Sequence, residues 1–355
     1  MVASAKDDPD PPLTNYPDDP EGTFNYHEQV KRGEDAFTST GVRASVCWLI
    51  QTLVCKSPEQ CWQLIYTVEK LGTGENLHVR QNACVPLIEF AVRRNWRRDG
   101  SHIMPEEVRE RTKRLAFTML RENCAYSTIL DWLAPAFFRM PDLDEGEVRE
   151  VLDTLLERTS KEGLTSVAHF LVFFAVFRSG HPNFPEPFDS SFAKSRLEES
   201  LKQGRPELRH AIAFTFFKTV EEDARLAKAL RRYILMLPDV GLTGHAPNFF
   251  YEMAQALIDG PDHEVENAII KMVSEEARWA TEARGRFLAL LKIVPLLKKL
   301  AEHERWATVL GASKAIAAAR HTVLGGTSEL SELLKRAPAD FSDQAEALRL
   351  GNELT

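Results

Sequence analysis

Four guanidinium groups surround an indole in Arg93-Arg94-Asn95-Trp96-Arg97-Arg98, a grouping whose residue types suggest contact with phosphate. Guanidinium forks match phosphate oxygens in pairs, and an indole face offers a base something to stack on. The same charges also have a structural use. At a helix C-terminus each cation meets the negative end of the helix dipole, worth about 0.3–1 kcal/mol. The segment that follows adds Arg109, Arg111, Lys113, Arg114 and Arg121. Between residues 93 and 121 nine basic residues stand against four acidic ones, a local excess of five in a chain of net charge −8. Helix capping does not require such an asymmetry. The candidate partner-binding set is therefore Arg93, Arg94, Trp96, Arg97, Arg98, Arg109, Arg111, Lys113 and Arg114. Three readings stay open for it: a solvated helix end, a surface for an acidic protein partner, and a nucleic-acid contact.

Other chemistry finds no constellation. The ten histidines form no H-E-x-x-H or H-x-H set, and both "HEVE" at His263 and "EHERW" around His303 lack a second imidazole at ligand spacing. Neither G-x-S-x-G nor G-x-x-x-x-G-K-[ST] occurs. The carboxylate pairs Glu221-Glu222 and Glu275-Glu276 read as ordinary helix-surface residues. No catalytic residue, metal, cofactor or small-molecule substrate is expected, and an enzymatic reading has no positive support. Cys47, Cys55, Cys61, Cys84 and Cys124 are odd in number, sit among apolar residues and form no C-x-x-C pair, which predicts buried free thiols.

The elements that must position these residues are helices. The 355 residues are 44% hydrophobic and 27% charged, the composition of an ordinary protein with a substantial core. From about residue 25, apolar residues recur at i, i+3, i+4 and i+7, and alternating runs long enough for strands are missing. In residues 42–54 the predicted stripe is Val42, Val46, Leu49, Ile50, Leu53 and Val54. Later helices are expected near 105–123, 126–139, 144–160, 164–178, 190–203, 206–221, 223–236, 246–259, 262–280, 283–302, 304–323 and 327–336, with short gaps that force sequential helices side by side. Residues 1–22 hold Pro9, Pro11, Pro12, Pro17 and Pro20 with little that is apolar, and are expected to be a disordered tail. No run of about 18 apolar residues and no signal peptide is found, so a cytoplasmic protein without a membrane partner is expected.

Helix starts share a pattern: "GVRASV" at Gly41, "HVRQNA" at His78, "EVREVL" at Glu147, "ELRHAI" at Glu207, "EVENAI" at Glu264 and, more weakly, "EVRERT" at Glu107. This resembles the second helix of HEAT repeats, most closely over residues 73–94. The resemblance implies an all-α fold, a right-handed α-solenoid of stacked antiparallel helix hairpins of the HEAT or armadillo kind. It also implies that Arg43, Arg80, Arg149 and Arg209 are a structural ladder joining adjacent turns. The aliphatic positions 42, 79, 108, 148, 208 and 265 are spaced 37, 29, 40, 60 and 57 residues apart, whereas such repeats run about 40–47. Segment 40–87 is also similar to HEAT-type regions that follow nucleotide-binding modules in large bacterial proteins, defence ATPases among them. The expected organisation is a tail at 1–22, a helical lobe at 23–178, a Pro-rich linker at 179–191, a second lobe at 192–337, and a C-terminal tail with a short helix at 338–355. The function expected is a non-enzymatic scaffold for a protein partner. The alternative is a nucleic-acid binder acting through 93–121, in the manner of HEAT-like DNA-repair glycosylases or an antiphage sensor arm.

Overall fold

A computed structural model of the protein describes residues 39–54, 60–91, 106–140, 143–180, 189–242, 246–282 and 287–354. The tail at 1–22 and most of the linker at 179–191 lie outside the described residues. Among the described residues the fold is all helical but for one pair of two-residue strands. The chain divides into two compact units, 1–197 and 198–355.

The first unit contains α1 (Ser39–Val54), α2 (Cys61–Gly72), α3 (Leu77–Ala91), α4 (Glu106–Asn123), α5 (Ser127–Arg139), α6 (Glu145–Arg158) and α7 (Leu164–Val172). A π-helical stretch, Phe173–Phe177, continues α7. The division falls inside α8 (Ser191–Gln203). Each helix in this unit packs on its neighbour-but-one: α1 on α3, α3 on α5, α5 on α7, and likewise α2 on α4 and α4 on α6. Two rows result, because short turns reverse the chain and each apolar stripe is wide enough to meet helices in both rows. Local chemistry fixes the ends. Asp144 caps α6 by accepting from the Glu147 amide at 2.8 Å, while the Glu147 carboxylate accepts from the Asp144 amide at 2.9 Å. Phe117, Phe137, Phe170 and Phe174 fill the interior between α4, α5 and α7, each burial worth about 2–3 kcal/mol.

The second unit contains α9 (Pro206–Glu222), α10 (Ala227–Ile234), α11 (Ala246–Gln255), α12 (His263–Glu282), β1 (Leu288–Ala289), α13 (Leu290–Glu302), α14 (Trp306–Ala318), β2 (Val323–Leu324), α15 (Thr327–Lys335) and α16 (Gln344–Glu353). Here α9, α11, α13 and α15 pack in succession, as do α12, α14 and α16. Pro206 opens α9, where a missing amide hydrogen costs nothing.

Three expected helices are corrected. The run 223–236 is a 3-10 turn, Ala224–Leu226, followed by α10, because the Asp223 carboxylate draws the Arg225 amide into a tight local bond at 3.0 Å. Within the run 283–302 the helix begins only at Leu290, after β1, and the run 304–323 leaves the α-helix at Ala318, passing through a 3-10 turn, Arg320–Thr322, into β2; the strands pair in parallel with Leu288 opposite Val323 and Ala289 opposite Leu324. The unbroken apolar stretch Phe287–Leu291 carries no period that separates strand from helix.

The six marked helix starts fall in the first turns of α1, α3, α4, α6, α9 and α12. Of their six aliphatic residues Val79, Val108, Val148, Leu208 and Val265 are buried, and Val42 is half-buried. The uneven intervals acquire a cause. Positions 79 and 108 begin consecutive helices, whereas the intervals of 60 and 57 each span three helices rather than two.

Candidate functional site

Arg93, Arg94, Trp96, Arg97 and Arg98 lie outside the described residues. The rest of the basic set is on α4. Arg111 reaches back to α2, where its Nε is 3.1 Å from the Glu69 carboxylate and its guanidinium lies 3.6 Å from the centroid of the Tyr66 ring. Lys113 reaches forward to Glu147 of α6 at 2.5 Å, and Arg121 pairs with Glu150 of the same helix. Arg109 is half-buried, and Arg114 is exposed without an ion pair to any described residue. Three cations of this helix are thus neutralised by the helices on either side of it in its own row. A charge already paired offers less to a phosphate.

Linking continues along both units. Arg80 of α3 donates to the buried Asn123 Oδ1 at 2.7 Å and to the Glu75 carbonyl at 3.2 Å. Arg209 donates to the carbonyls of Gly204, at 3.0 Å, and Val240. Arg149 stays nearer home, bonding Glu145 at 3.3 Å on its own helix and lying 3.9 Å from the Phe192 ring centroid. Arg43 is buried. Further links were missed because the sequence does not mark them. Buried Arg178 donates to the Leu143 carbonyl at 2.5 Å, Arg196 pairs with Asp153 at 2.7 Å, and Arg231 holds Asp262 and Glu264 at 2.8 and 2.7 Å.

One surface feature in the first unit also escaped the sequence reading. Trp48 of α1 and Trp132 of α5 meet edge to face, ring centroids 6.2 Å apart, although α3 stands between their helices in the row. The Trp48 indole donates to Asn82 Oδ1 of α3 at 2.9 Å, and the buried Asn82 amide donates in turn to the His78 carbonyl at 2.8 Å. Trp48 remains 49% exposed and Leu49, expected in the buried stripe, 37%. In the second unit Phe287, Leu291 and Leu324 are 57%, 77% and 52% exposed around the strand pair. Because Ala289 sits opposite Leu324 with both exposed while Leu288 is buried, the pair turns one apolar face to solvent.

The reading of Glu275-Glu276 as a surface pair holds for Glu275, which binds Arg278 at 2.7 Å. It fails for Glu276, which accepts a hydrogen bond from the fully buried Tyr251 hydroxyl. Burial pushes the Glu276 carboxyl up to about 7. Burial and the neighbouring carboxylate hold the Tyr251 phenol well above its ordinary range. Cys47, Cys84 and Cys124 are free and buried, and desolvation pushes the Cys47 thiol up to about 12, which removes its nucleophilic form at neutral pH. Cys55 lies outside the described residues. Among the described residues no group of three His, Cys, Asp or Glu converges to hold a metal, and no helix is long and apolar enough to cross a membrane.

Compared with known proteins, the chain matches no family model and no curated sequence.

Proposed function

We propose that the chain is a non-enzymatic interaction module built from helix hairpins stacked in the manner of HEAT repeats, and that a protein partner lies along the row α1, α3, α5, α7. The observation that carries this reading is the Trp48–Trp132 contact above α3. An indole left half in water forgoes roughly 2–3 kcal/mol of burial, and tryptophans so placed are enriched where partners dock. Packing of each helix on its neighbour-but-one supports the hairpin stack, since a repeat supported on both sides presents a stiff face at low entropic cost.

Nucleic acid is the competing partner, and it loses ground because Arg111, Lys113 and Arg121 are occupied by Glu69, Glu147 and Glu150. The test compares wild type with Trp48→Ala in partner capture from the native host, beside titration with duplex and single-stranded DNA at about 50 and 200 mM salt. The expected outcome is a specific protein captured by wild type, lost with Trp48→Ala, and weak DNA binding at either salt. Tight DNA binding that falls steeply with salt, or capture indifferent to Trp48→Ala, refutes the reading.

A further inference from the structure

A second recognition element lies where α13, α14 and α15 meet. The turn from α13 to α14 contains Glu304, whose φ of 61° is left-handed backbone in a residue other than glycine. This tight reversal brings Glu302, the last residue of α13, beside Trp306, the first of α14. Opposite them is α15, on which Glu329, Glu332 and Leu333 recur at spacings of three and four and so share a face, with Arg336 just past its end. Together they line an open cleft of about 330 Å³, its glutamates and Arg336 exposed to solvent.

Its charges do not cancel internally. Lys298 is neutralised by Glu329 at 2.7 Å. Glu302, Glu332 and Arg336 also line the cleft, and none of them makes an ion pair with a described residue. Two carboxylates thus oppose one guanidinium, which leaves an excess negative charge beside an indole. The Trp306 ring is partly exposed and its N–H makes no hydrogen bond with a described residue. Ala301 and the buried Leu333 supply the apolar part of the wall. A planar cation suits such a wall: it stacks on the indole while its N–H groups reach the carboxylates, and it loses less hydration than a primary ammonium does.

We propose that this cleft binds the side chain of an arginine presented by the partner protein. The inference takes from the proposed function only that the partner is a protein, and the pocket chemistry selects the residue.

Calorimetric titration of the whole protein with the acetyl-Gly-Arg-Gly-amide peptide, beside the same peptide carrying uncharged citrulline, tests it. The arginine peptide is expected to bind at least tenfold more tightly than the citrulline peptide. The double substitution Glu302→Gln with Glu332→Gln, and separately Trp306→Ala, is expected to weaken binding at least tenfold while the thermal melt stays in place. Trp306→Phe keeps a ring and should lose less, so a folding defect in the alanine variant leaves the idea open to test. Equal affinity for the two peptides, indifference to the paired glutamine substitutions, or no binding at about 10 mM arginine peptide overturns the proposal. If the paired variant still captures the native partner with wild-type affinity, this pocket is refuted while the interaction module stands. If the arginine peptide binds but no partner is captured, the pocket stands and the module reading falls.

Discussion

Glu276 shows how far a single side chain depends on its surroundings. With its carboxyl pushed from 4.5 up to about 7 by burial, it binds a proton more readily in the folded chain than in the unfolded one. A folded-state pKa raised in this way means that the stability linked to Glu276 is complete below pH 4.5 and is lost as pH rises through 7. The full difference corresponds to about 3 kcal/mol at most. Glu276→Gln keeps an oxygen for the Tyr251 hydroxyl and removes the charge. Its melting temperature should therefore exceed that of the wild type at pH 8 and match it near pH 4.5, as followed by circular dichroism. A constant offset across that range would refute the account. No property of the sequence separates Glu276 from Glu275. They sit about 100° apart on α12 and are both half-buried; only the approach of Tyr251 from α11 sets the Glu276 carboxylate apart.

At the scale of elements, helices are joined by links of unequal worth. Arg111 and Glu69 are both partly exposed, so Arg111→Ala should cost no more than about 1 kcal/mol. Arg80→Ala should cost more, about 1–3 kcal/mol, because it strands the wholly buried Asn123 Oδ1. Urea denaturation of the two variants measures the order, and an Arg111 effect equal to or above that of Arg80 would contradict it. The α13–α14 turn offers an opposite case. Glycine at position 304 removes the steric penalty of a left-handed residue, about 1 kcal/mol, so Glu304→Gly should raise the denaturation midpoint. A lowered midpoint would show that the side chain contributes more than its backbone costs. Neither effect could be ranked from sequence, which shows an arginine after an aliphatic residue at Arg80 and Arg149 alike. One reaches across to Asn123 and the other bonds within its own helix.

For the molecule as a whole, the two units each bury an interior of their own, Leu133, Phe137 and Phe170 in one and Phe250, Ile293 and Leu297 in the other. Hydrogen exchange should therefore find two sets of slowest amides, in α5 and α7 and in α11 and α13. Slow amides confined to a single unit would contradict this. The sequence by itself determined where most helices lie, since apolar spacing, caps and prolines act within a few residues of one another. It also marked the first turns of six of them. Only the tertiary structure decided which charges are spent and which aromatic groups remain in water. The partners concerned, Arg111 with Glu69, Trp48 with Trp132 and Glu302 with Glu332, are brought together by how helices pack rather than by anything their own stretch of chain encodes.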